Sequence, residues 1–171
     1  MPVQQQTSEA YFKSLSLIFY ALIAMQLITA AVLLVLKKTQ EFPSRFEEKG
    51  DLMIYLLIAV VMVGFVAAYL FYTSRCRALS ELKDLKSKMT GYRVTLIIRL
   101  AILEALSLMA LVLFIITGDL VHIAVAGFVI IYSLKLRPVK STIARDLNLS
   151  STEQAKLEDP NEIVAEFESQ S

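Results

Sequence analysis

The chain has 171 residues, 56% hydrophobic and only 19% charged, with a mean hydropathy of +0.60, whereas soluble domains carry roughly 45–50% apolar and about 25% charged residues. A net charge of +1 excludes a phosphate-neutralising nucleic-acid surface, and a single Cys excludes a disulfide scaffold or multi-cysteine metal site. Five Gly and four Pro exclude a collagen-like or Pro/Gly-rich disordered chain. What remains is an integral protein of the inner or plasma membrane, with the lipid bilayer as its first partner.

Crossing about 30 Å of hydrocarbon takes about 20 helical residues, because lipid offers the backbone no hydrogen bonds. In chain order the apolar segments are Leu15 to Leu36, Leu52 to Tyr72, Val94 to Ile116 and Leu120 to Leu136, the last near the short limit. The fold expected is all-α, a four-transmembrane-helix bundle over residues 1–149 followed by an acidic tail over 150–171. The first segment is longer than the apolar core of a signal peptide and no A-x-A-like site follows it, so it reads as retained. With the N-terminus inside, the cytoplasmic side holds eleven Lys/Arg: Lys13, Arg75, Arg77, Lys83, Lys86, Lys88, Arg93, Lys135, Arg137, Lys140 and Arg145. The outer side then holds four, Lys37, Lys38, Arg45 and Lys49. The positive-inside rule places both termini in the cytoplasm and exposes the loop from Pro43 to Gly50 outside.

After Tyr72 the helical pattern continues through Leu79, Leu82, Leu85 and Met89, with Asp84 and Lys88 spaced for an i, i+4 pair. Thr90-Gly91 is the expected stop, glycine being the usual left-handed cap. Thr117-Gly118-Asp119 leaves room only for a tight turn, with Asp119 capping the fourth helix, and Pro138 interrupts that helix at its far end. In the tail, Ser150-x-x-Glu153 reads as a capping box. Asp159-Pro160 reads as the start of a short helix carrying Ile163, Val164 and Phe167, either frayed or docked. Aligning Gln26 with Glu104 also matches Thr29 with Ser107, and Gly64-Phe65-Val66-x-x-Tyr69 recurs as Gly127-Phe128-Val129-x-x-Tyr132. Duplication of a helical hairpin would produce this pattern, as would chance among apolar segments.

Glu104 stands near the middle of the third span, where a charge costs roughly 2.5–3.5 kcal/mol on insertion scales. Ser107, Leu108 and Arg93 share its helical face; Arg99, about 140° away, is placed to snorkel or to pair with another helix. The stretch Leu100-Ala101-Ile102-Leu103-Glu104-Ala105-Leu106-Ser107-Leu108-Met109-Ala110-Leu111-Val112 resembles the carboxylate-bearing helix of the proteolipid (c) subunit of rotary ATP synthases. There a buried Glu or Asp followed by Ala and Leu carries the transported proton or sodium ion, a role the resemblance implies for Glu104. It is confined to this helix: the glycine-rich partner helix of that family has no counterpart, since the second span holds only Gly64.

Two function classes follow. In one, Glu104 with Ser107, Gln26 and Thr29 serves proton-, cation- or solute-coupled transport or sensing. In the other, the bundle is a non-catalytic assembly subunit, self-associating or joining other membrane proteins, and Glu104 bridges helices. Gly64, Ala68 and Gly127 are candidate helix-packing positions. His122, the only histidine, fits an interfacial hydrogen bond, and Cys76 fits either an inert thiol or an S-palmitoylation site. No phosphate loop, HExxH or GxSxG motif is present, so neither enzyme chemistry nor a cofactor or metal is expected.

Overall fold

The computed structural model describes residues 3–39 and 50–168. Its elements in chain order are β1 (Val3–Thr7), α1 (Ser8–Thr39), α2 (Gly50–Ser80), α3 (Leu85–Thr117), α4 (Leu120–Leu134), α5 (Lys140–Asp146), α6 (Ser151–Glu158) and β2 (Ile163–Glu168). Three helices are long and apolar enough to cross a membrane: Ser8–Thr39, Leu52–Ser80 and Leu85–Thr117. The fourth expected span is shorter than predicted. Its helix has 15 residues, about 22 Å at 1.5 Å per residue, and falls short of that criterion. Residues 43–49 of the predicted outer loop lie outside the described residues.

Contacts divide the chain into two compact units. One comprises residues 20–69 and 100–136. Its core is built from Leu57, Val61 and Ala68 of α2, Leu103, Leu106, Ala110 and Leu111 of α3, and Ala126 and Val129 of α4. Outside this core the helices expose large apolar side chains, among them Ile28, Met62, Val63, Val112, Phe128 and Ile131. Water would penalise that surface, whereas hydrocarbon does not. The tight turn forms as expected: Gly118 takes φ 70, a value that suits a residue without Cβ. The Asp119 side chain accepts a hydrogen bond from Val121 N at the start of α4.

The other unit comprises residues 1–19, 70–99 and 137–171. Here the sequence reading of the tail is corrected. Ile163 to Glu168 form no helix; they are strand β2, antiparallel to β1 in the register Gln5↔Glu166 and Gln6↔Ala165. The β-branched pair Ile163-Val164 suits a pleated strand. Asp159 closes α6 instead of opening a helix, and its carboxylate accepts from Asn161 N. The tail is docked, with Leu157, Val164 and Ala165 buried. It also supplies acceptors to the start of α1, where helix N–H groups lack intrahelical partners: Ser8 N donates to Glu162 O at 2.9 Å and Glu9 N to Pro160 O at 3.2 Å. The capping box at Ser150 and Glu153 is present as expected.

The second helix does extend past Tyr72, but it ends at Ser80, and α3 begins at Leu85 with the Asp84 carboxylate accepting from Ser87 N. Gly91 is therefore helix interior, not a stop. A Cβ there would collide with the Leu79 side chain, so glycine admits a close approach of α2. The anticipated Asp84–Lys88 side-chain pair is replaced by Lys88–Glu153.

Candidate functional site

Each long helix buries one stripe. On α1 it runs Tyr11, Leu15, Phe19, Ile23 and then Gln26, so Gln26 holds a position that apolar residues fill in the preceding turns. On α3 the stripe includes Leu100, Leu103, Leu106, Ser107, Ala110 and Phe114. Gln26 and Ser107 are both buried, and Gln26 Oε1 and Ser107 Oγ have no hydrogen-bond partner among the described residues. A buried unsatisfied polar atom costs about 1–3 kcal/mol. Thr29 is self-contained, its hydroxyl donating to Met25 O at 2.9 Å.

Glu104 sits at the edge of the α3 stripe. It is half-buried, with buried Leu100, Leu103 and Ser107 on one flank and exposed Ala101, Ala105, Leu108 and Val112 on the other. Among the described residues its carboxyl makes no hydrogen bond or ion pair. Among the described residues Glu104 therefore makes no bridge to another helix, the role that the sequence allowed for it.

The packing glycines differ from each other. A Cβ on Gly64 would lie 2.6 Å from Leu106 Cδ1, while one on Gly127 would meet nothing within 4 Å. Ala68, one turn from Gly64, is buried in the core beside Leu106. Phe65 packs edge-on to Tyr132 with centroids 4.6 Å apart. The two matched Gly-Phe-Val segments thus meet unlike surroundings at their glycines.

At the α3–α4 turn His122 is fully buried. Its Nδ1 lies 3.2 Å from Thr117 Oγ1 and 3.3 Å from Asp119 O. The Thr117 hydroxyl already donates to Leu113 O and accepts from Asp119 N. Toward His122 it can therefore only accept, as can the Asp119 carbonyl, so Nδ1 is protonated and donates, which leaves Nε2 as the ring nitrogen facing away from both. That Nε2 is buried without a partner among the described residues. Lys37, counted from sequence as a loop cation, folds back to donate to Gly118 O and lies 5.1 Å from the Phe114 ring centroid.

The second unit holds a polar cluster that sequence reasoning met only through Arg99. Its guanidinium stacks on the Tyr72 ring at 4.2 Å, a partner on another helix, which is one of the two placements that the wheel left open. The Tyr72 hydroxyl has Asp146 Oδ2 at 2.6 Å and the Tyr92 hydroxyl at 3.2 Å. It has one proton to give. The shorter, charge-assisted line to the carboxylate takes it, leaving Tyr92 to donate to the Tyr72 oxygen. One side chain thus receives a cation on its face and an anion at its hydroxyl. This desolvated arrangement fixes α2, α3 and α5 within the unit. Arg99 Nε is buried and has no hydrogen-bond partner among the described residues. The available signal was the spacing of Tyr92 and Arg99, seven residues apart and hence on one helical face. Cys76 is buried beside this cluster, at 4% exposure, which overturns the S-palmitoylation option: an acyl donor has no access to the thiol.

Nearby, Lys88 Nζ bonds Glu153 Oε1 at 2.8 Å with side-chain exposures of 6% and 18%. Tyr11 OH donates to Met89 O at 2.7 Å, and Ser8 Oγ to Leu157 O at 2.6 Å. A polar cavity of about 460 Å³ opens beside the ion pair, lined by Lys83, Asp84, Ser150 and Lys156 among others. Burial works against ionisation of Glu153, but bonds from Lys88 and Ser150 outweigh it and hold the carboxyl below its ordinary range. Among the described residues no three His, Cys, Asp or Glu side chains gather as a metal site. Compared with family models, curated proteins and solved structures, the chain matches none.

Proposed function

We propose that the chain is a four-span membrane protein with both termini in the cytoplasm, serving as a non-catalytic subunit that assembles with a neighbouring membrane helix through the Glu104 side of α3. Support for the topology comes from connectivity. β1 and β2 lie toward opposite ends of the chain yet hydrogen-bond to each other, which requires an even number of crossings. In this reading α4 is the fourth span. A helix this short is accommodated by local bilayer thinning, at fractions of a kcal/mol per Å of mismatch. The eleven-to-four division of Lys/Arg favours the cytoplasm for both termini.

The observation that carries the functional reading is the state of Glu104: mid-span, half-buried and without a partner among the described residues. A carboxyl beside lipid is expensive unless something outside the chain satisfies it. A polar group on a second helix does so, and the small residues Ala101 and Ala105 allow a close approach. A second reading, proton- or cation-coupled transport or sensing, is favoured by the unpartnered oxygens of Gln26 and Ser107 and by the resemblance of Leu100 to Val112 to a proton-carrying helix.

Cysteine cross-linking in native membranes tests the proposal. With Cys76 replaced by alanine, Ala105→Cys or Leu108→Cys should yield one adduct of discrete mass, and Val66→Cys on α2 should not. Glu104→Gln should preserve the adduct and Glu104→Leu should abolish it. No adduct at either α3 position, with pH-dependent labelling of Glu104 by a hydrophobic carbodiimide, would replace assembly by the proton reading.

A further inference from the structure

One cavity belongs to neither feature above. It has a volume of about 450 Å³ and is lined by Leu34, Val35, Lys37, Lys38 and Leu120, within the size range of small-molecule sites, roughly 300–1,000 Å³. All five residues belong to the same unit. Leu34, Val35 and Leu120 are exposed, at 39%, 61% and 56%, so the cavity is open on its apolar side. The two lysines occupy the last turn of α1. Lys37 is held against the Gly118 carbonyl and the Phe114 ring, which fixes one positive charge at the rim. Lys38 is exposed. No acid lines the cavity among the described residues, and the Asp119 carboxylate is engaged in capping α4. The result is an apolar trough ending in two cations.

We infer that this cavity seats one anionic glycerophospholipid, its acyl chain along Leu34, Val35 and Leu120 and its phosphate against Lys37 and Lys38. Both halves of the lipid are needed to match the site. An acyl chain alone leaves the lysines without a counter-charge, and a free phosphate leaves the trough empty. The inference rests on the membrane reading above but not on the role of Glu104.

Native mass spectrometry of the full chain, released from mixed micelles containing phosphatidylglycerol and phosphatidylcholine, tests it. Wild type should retain one phosphatidylglycerol in preference to phosphatidylcholine. Lys38→Gln should weaken that preference about fivefold, the equivalent of about 1 kcal/mol for one lysine near a phosphate, and Lys38→Arg should restore it. Leu120→Trp, which fills the trough and leaves the charges in place, should also lose the lipid. Equal retention of both lipids by wild type would overturn the site. So would loss in Lys38→Gln with full retention in Leu120→Trp, which would mean attraction at the surface without a seat. Failure of the membrane reading itself would show separately, as a chain that alkaline carbonate extracts from membranes.

Discussion

Removing the negative half of the Lys88–Glu153 pair should leave a buried ammonium with no counter-charge. Glu153→Gln is the sharpest form of the change, because glutamine at this position can still close the capping box with Ser150. Breaking a buried pair on one side costs roughly 3–5 kcal/mol. With Glu153 18% exposed and a polar cavity beside the pair, the low end applies, about 3 kcal/mol. Replacing both partners, as Lys88→Met with Glu153→Leu, should cost much less than the sum of the single changes, since no isolated charge then remains buried. Hydrogen exchange of the α6 and β2 amides, read by mass spectrometry in detergent, reports the local opening free energy of this unit. The pH dependence has a definite sign. The Glu153 carboxyl is held below its ordinary value of 4.5, so the folded state binds its proton less readily than the unfolded state does. Its stabilisation is complete above that ordinary value and fades as pH falls through the lowered one. Additive single and double variants, within about 0.5 kcal/mol, would refute the reasoning, as would a Glu153→Gln variant that keeps the wild-type loss of protection in acid.

Val164→Asp should expose the tail, because it puts a charge where the side chain is fully buried; the amides of Ser8 and Glu9, bonded to Glu162 O and Pro160 O, should then exchange faster. Deleting residues 150–171 should have the same effect, and protected Ser8 and Glu9 amides after truncation would contradict the docking. Gly127→Ala should stabilise by up to about 1 kcal/mol through helix propensity, while at Gly64 the contact with Leu106 should cancel that gain, a contrast visible in thermal midpoints in detergent. Tyr72→Phe should cost about 1.5–3 kcal/mol, the range for hydrogen bonds to charged groups, and Tyr92→Phe about 1 kcal/mol; the reverse order would mean that the proton does not lie on the Asp146 line.

The sequence alone determined the properties that are local to one segment. An apolar run of about 20 residues is a statement about solvent, so three of the four expected spans are helices of sufficient length, and α4 appears where it was expected but shorter. Caps are equally local: Asp119 and the Ser150–Glu153 box depend on residues within a turn of one another. What involves partners distant in the chain was decided only by tertiary structure. Ile163 and Val164 read equally well as one face of a short helix until β1 presents a backbone edge to pair with. Lys88 had an acid one turn away in Asp84 but bonds Glu153, because docking of α6 brings that carboxylate to a site already shielded from water. Gly91 matched a stop signal, yet it serves the approach of Leu79 from another helix. The same limit applies to Glu104. Its cost in lipid is legible from one residue and its depth in a span, whereas the absence of a partner for it among the described residues shows only once the helices are packed.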